Sequence, residues 1–111
     1  MRKIDWNGCF VVAVTPFAED GSFDESAVRR LIETFIADGV AGIVLAGSTG
    51  EWYNMSVEEK AELFRIGVEQ NRGRVTLLGG SSAISTREAV RITEAAKQAG
   101  CDGTLLLPPP Y

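Results

Sequence analysis

Two glycines bracket two hydroxyl residues in Gly47-Ser48-Thr49-Gly50, and a carboxylate, Glu51, follows at once. With no bulky side chain at either end, backbone N–H groups and hydroxyls in such a loop can converge on an anion, and a carboxylate would suit it. The same residues also suit a tight turn in which Ser48 and Thr49 bond only the local backbone. Glu51 reads as an acceptor of backbone N–H groups that orders the loop in preference to a general base. Any further chemistry must use hydroxyls, carboxylates, amines or the backbone. The chain has no histidine, which removes the commonest metal ligand and the usual general base together. There is no CxxC pair, and Cys9 and Cys101 sit in or beside apolar segments, where a free thiol behaves as a small hydrophobe. No metal and no cofactor is called for.

The elements that must hold this loop alternate strictly. Gly8 to Val14 is a short β-branched run ended by Thr15-Pro16, as expected of a strand buried on both faces. Asp24 can cap a helix whose apolar positions Ala27, Val28, Leu31, Ile32, Phe35 and Ile36 recur at three- and four-residue spacing, with Gly39 to close it. Ala41 to Ala46 is a second strand, breaking into the glycine loop. Ser56 and Glu59 form a capping box ahead of Val57, Ala61, Phe64 and Val68, and Gly73 ends that helix. Val75 to Gly79 is a third strand. Ser85 with Glu88 makes another box before Ala89, Ile92, Ala95, Ala96 and Ala99, stopped by Gly100. Gly103 to Leu107 is a fourth strand, halted by Pro108-Pro109-Pro110.

The order is βαβαβαβ, and crossovers long enough to hold a helix force parallel pairing with right-handed connections. The fold class is α/β. An open doubly wound sheet should carry a glycine fingerprint after its first strand. Here that turn reads Thr15-Pro16-Phe17-Ala18-Glu19, which favours a closed (β/α)8 barrel. A full barrel takes about 250 residues and eight strands. Residues 1–111 therefore read as the first half of a TIM barrel, truncated or associating with a second half-barrel. Strands one and four would have unpaired edges and the inner face would be uncovered, both drives toward a homo-oligomer.

Composition excludes other classes. Net charge is -4, from 11 basic and 15 acidic residues, with no run of one sign that could track nucleic acid. No apolar stretch approaches the roughly 20 residues that cross a bilayer, and the amino terminus lacks the pattern of a secretion signal. A cytoplasmic protein is expected.

In barrels of this kind the loops after the strands carry function. Here they are Thr15-Pro16-Phe17, Gly47-Ser48-Thr49-Gly50-Glu51, Gly79-Gly80-Ser81-Ser82 and Pro109-Pro110-Tyr111. Taken in order and at barrel spacing, they resemble the pyruvate-dependent, imine-forming class I aldolases typified by dihydrodipicolinate synthase and N-acetylneuraminate lyase. The resemblance runs over essentially the whole chain, and the second loop is its specific element. It implies a lyase or synthase acting on pyruvate or a related 2-keto acid. Gly47, Ser48, Thr49 and Gly50 would bind the substrate carboxylate, and Ser48 would also relay a proton. Tyr111 matches a tyrosine that completes the relay across a subunit interface, although Pro110 stands where the family often has another tyrosine. Read without the family, Tyr111 is an aromatic side chain at the barrel mouth. The resemblance further implies that the second relay tyrosine and the imine-forming lysine lie beyond Tyr111. Of the lysines present, Lys3 is near the amino terminus, and Lys60 and Lys97 are expected on solvated helix faces, so none reads as the nucleophile. The alternative is a non-catalytic, self-associating half-barrel that binds a small carboxylate.

Overall fold

The computed structural model describes residues 3–109. Four strands, β1 (Phe10–Val12), β2 (Gly42–Leu45), β3 (Thr76–Gly80) and β4 (Gly103–Leu105), alternate with three helices, α1 (Glu25–Ala37), α2 (Val57–Asn71) and α3 (Thr86–Ala99). A one-turn 3-10 helix, Trp52–Asn54, follows the glycine loop. The strands pair in parallel in the order β1-β2-β3-β4. The register sets Val12 against Val44 and Val44 against Leu78. There is no reversal of strand order, and α1 packs on α2 and α2 on α3. All three helices therefore cover one face of the sheet. A doubly wound sheet would divide them between two faces, so this arrangement is half of a (β/α)8 barrel.

Local chemistry starts each helix where expected. Asp24 accepts the Ala27 N–H, and Ser56 and Glu59 form a complete capping box. Only the Ser85 half of the box expected at α3 is formed. Gly39 and Gly100 take positive φ, 86° and 98°, just past α1 and α3, a conformation that glycine adopts without steric cost. At the end of α2 it is Arg72, at φ 50°, that turns left-handed. Gly73 follows it at φ 69°, in the same place past the helix as Gly39 past α1, so the expected stop holds with Arg72 added to the turn.

The core lies between sheet and helices and is built from Ile32, Ile43, Leu63, Phe64, Ile66, Leu77 and Ile92, all fully buried. Burying each such side chain contributes roughly 1.5–3 kcal/mol. The layers meet closely at Gly79, where a Cβ would stand 3.0 Å from both the Phe64 ring and Ala96 Cβ.

β1 departs from the burial on both faces expected of it, while the exposure of both outer strands is that expected of a half-barrel. Val12 and Val14 are 37% and 55% exposed, and Leu105 and Leu107 are 43% and 48% exposed, at the edges of the face opposite the helices, whereas Val44 and Leu78 at its centre are buried. Both strands are also shorter than their apolar runs, since each has one neighbour to pair with. Beyond β4, the Leu107 N–H goes to Ser82 Oγ (3.0 Å) instead of a ladder. Cys9 is exposed, not packed as a hydrophobe, whereas Cys101 is half-buried. Burial and then the Asp102 carboxylate push the Cys101 thiol up to about 12. No helix among the described residues is long and apolar enough to cross a membrane.

Candidate functional site

At the carboxyl ends of the strands, Val12, Gly47, Ser48, Thr49, Ser82, Leu105 and Leu107 line a cavity of about 170 Å³. Residues at the ends of all four strands thus converge on one place, and none of the lining residues carries a charge. A larger cleft of about 450 Å³ runs beside Lys3 to Asn7. It is bounded by the amino-terminal segment alone, whereas ligands of parallel α/β folds bind at the carboxyl ends of strands. The smaller cavity is the candidate site.

The glycine loop is set by strain at both ends and anchored between them. Ala46 and Glu51 take left-handed backbone, at φ 56° and 61°, a conformation that costs a non-glycine residue about 1–2 kcal/mol. Between them, the Glu51 N–H donates to Ser48 O (3.0 Å) and the Trp52 N–H to Gly47 O (3.3 Å). The buried Thr15 hydroxyl donates to Gly50 O at 2.7 Å, tying this loop to the one after β1. Gly50 is needed here, because a Cβ would stand 2.9 Å from Ala13 O. Glu51 departs from the expected role of accepting loop backbone N–H groups: among the described residues its carboxylate accepts the Asn54 side-chain amide (3.0 Å).

Of the residues singled out in the sequence, Gly47, Ser48 and Thr49 line the cavity together. Gly50 is buried behind them. Ser48 and Thr49 are exposed, and among the described residues neither hydroxyl nor either backbone N–H has an intramolecular partner. The alternative in which these hydroxyls cap local backbone is therefore not what the loop does. Tyr111 lies outside the described residues. Ser82, part of a supporting motif with no role assigned to it, proves central. Its hydroxyl accepts the Leu107 N–H and so joins the segment after β4 to the cavity wall. Its neighbour Ser81 is fully buried, and Ser81 Oγ has no hydrogen-bond partner among the described residues.

Lys60 is the main correction. Expected on a solvated face, it is 2% exposed, with its ammonium 5.3 Å from the centre of the Trp52 ring. Burial holds its pKa below the ordinary lysine value, and Glu88, not its sequence neighbours Glu58 and Glu59, acts against that shift. The signal was present: Lys60 falls in the same helical stripe as Phe64, Gly67 and Asn71, all buried.

The sequence profile of the dihydrodipicolinate synthetase family matches residues 5–111. The chain belongs to this family. It is 52% identical over 107 residues to an uncharacterized DapA-like lyase from Rhizobium meliloti, a match covering 96% of this chain and 36% of that protein. It is 47% identical over 106 residues to 4-hydroxy-tetrahydrodipicolinate synthase from Maridesulfovibrio salexigens, with the same coverage of 96% and 36%. Among solved structures, dihydrodipicolinate synthase from Aquifex aeolicus superposes with a TM-score of 0.91 at 35% identity, over 96% of this chain and 36% of that one. A prophage protein of the dihydrodipicolinic acid synthase family from E. coli K12, solved in complex with pyruvate, gives 0.92 at 31% identity, again over 96% and 36%. The chain spans about a third of the length of these dihydrodipicolinate synthetase relatives.

Proposed function

We propose that this chain supplies the carboxylate-binding wall of an imine-forming lyase or synthase acting on pyruvate or a related 2-keto acid. The observation that carries the reading is the pair Ser48 and Thr49, which line an uncharged cavity and whose hydroxyls and amides have no hydrogen-bond partner among the described residues. Free donors at a site with no cation fit a small anion held by hydrogen bonds. In this reading Gly47 and Gly50 keep the loop open, Ser48 also passes a proton during the reaction, and Tyr111 is its partner in that relay. Pyruvate bound to the E. coli family member supports the ligand class.

The test is pyruvate titration of the Ser48→Ala/Thr49→Ala variant. Each charge-assisted bond contributes about 1.5–3 kcal/mol, so affinity should fall by roughly one to two decades for each bond lost. Unchanged affinity would reduce the loop to a structural turn. The imine-forming amine is not supplied by Lys60 in this reading, since its burial denies it a substrate. Borohydride reduction with pyruvate should leave Lys60 unmodified on peptide mapping.

A second reading, a self-associating half-barrel without catalysis, is favoured by the exposed apolar side chains of β1 and β4. Sedimentation separates the readings in part. Association that leaves pyruvate affinity absent supports the second, whereas pyruvate binding that depends on Ser48 and Thr49 supports the first.

A further inference from the structure

Trp52 is the first residue past the loop, and its backbone N–H makes the bond to Gly47 O that closes it. At 3.3 Å that bond lies just beyond the usual N–H to O range. Its strength therefore depends on where the rest of Trp52 is held. The indole is half-buried, and the Lys60 ammonium lies 5.3 Å from its ring centre, within cation–π reach. Lys60 stands on the first turn of α2, and its charge is opposed by Glu88 of α3. The acidic neighbours on its own helix are engaged elsewhere: Glu59 accepts the Ser56 N–H at 3.0 Å, and Glu58 faces Arg91 at 3.7 Å.

An ammonium is a costly way to fill a buried position. Apolar side chains of similar shape commonly do so with equal or better stability. Lys60 must then do something an apolar residue would not, and its contact with Trp52 supplies the answer.

We propose that Lys60 is a positioning residue for the Gly47–Gly50 loop: by holding the Trp52 ring between α2 and the loop, it fixes the Trp52 N–H on Gly47 O. Its effect on ligand affinity rests on the carboxylate-binding reading above; its effect on loop geometry does not.

The test compares Lys60→Met and Lys60→Arg in the full chain, reading amide exchange at Glu51 and Trp52, global stability in denaturant, and pyruvate affinity. In Lys60→Met, exchange at both amides should rise and pyruvate affinity fall by roughly fivefold to tenfold, as loss of a cation–π contact implies. Global stability should not drop. Lys60→Arg, which keeps the cation, should restore both. Trp52→Leu should reproduce the exchange increase with Lys60 in place, and the double variant should add nothing to it. A folded Lys60→Met chain with wild-type exchange overturns the proposal. So does an unfolded Lys60→Met chain if Trp52→Leu leaves the loop amides unchanged. Should the unmodified chain show no affinity for pyruvate, the carboxylate reading falls while the exchange comparison still decides the role of Lys60.

Discussion

The two faces of the sheet carry similar apolar residues and meet opposite fates. Toward the helices, Ile43, Leu45 and Leu77 are sealed under Phe64, Ile66 and Ile92. On the other face, Val44 and Leu78 are buried at the centre while Val12, Val14, Leu105 and Leu107 stand open at the edges. Apolar composition alone thus says that a strand is fit for burial without saying what buries it. On the open face of half a barrel, that covering must come from outside these four strands.

The comparison breaks most sharply by truncating one residue on each face. Phe64→Ala should cost about 3–5 kcal/mol, the range for a large buried side chain replaced by alanine. Leu107→Ser should cost less than about 0.5 kcal/mol, as for an exposed position, while reducing self-association. Denaturant unfolding of dilute protein, paired with sedimentation, reads both. Equal losses would mean that the open face is covered in solution.

A smaller effect is expected where the faces meet the site. A Cβ at Gly80 would run into the Ala46 carbonyl oxygen, so Gly80→Ala should destabilise by about 1–3 kcal/mol through overpacking. Because Ala46 opens the glycine loop, the same variant should lose pyruvate affinity. Retention of wild-type binding would separate β3 from the loop.

On the covered face, Lys60 makes a pH signature. Its folded pKa lies below the ordinary 10.5 because burial disfavours the ammonium. Between the folded value and 10.5 the unfolded chain binds more protons, so this group makes stability rise with pH across that window. Cys101, raised from 9.0 to about 12, acts in the opposite sense. The Lys60 contribution is therefore read as the difference between the unmodified chain and Lys60→Met, whose curve should lack the rise. Parallel curves would place the amine in water.

The smallest effect belongs to the outer surface. Glu69 bridges Arg29 (3.0 Å) and Arg65 (2.8 Å) with its side chain largely exposed. Exposed pairs contribute about 0.2–1 kcal/mol, so Glu69→Ala should shift the unfolding midpoint only slightly, and less in high salt.

Much of this was legible in advance, for local reasons. Asp24, Ser56 and Ser85 mark helix starts because caps act on the next few residues, and Gly47 to Gly50 advertises open backbone within one short loop. Contacts made across the sheet left fainter marks. Ser82 reaches the segment after β4 only because β3 and β4 are neighbours, and Lys60 lies near the Trp52 ring only because the segment after the loop folds back on α2. Glu88 looked like half of a capping box, yet its carboxylate faces a lysine on another helix. Exposure at β1 and β4 was legible only through the count of strands, since half a barrel leaves its outer strands without a second neighbour, and not through their composition, which is that of a covered face.

The wiring of the sheet has a consequence for how the chain comes together. Each strand pairs with the next in sequence, so every pairing closes a loop of similar, modest length, and loop-closure entropy grows only slowly with length. Such a chain can grow as a line of βα units, each finding a partner in the unit already made, in step with emergence from the ribosome. The amino-terminal segment is the exception. Asp5 O accepts the Thr76 hydroxyl 71 residues away (2.7 Å), so this segment finds its place only after β3 has been made.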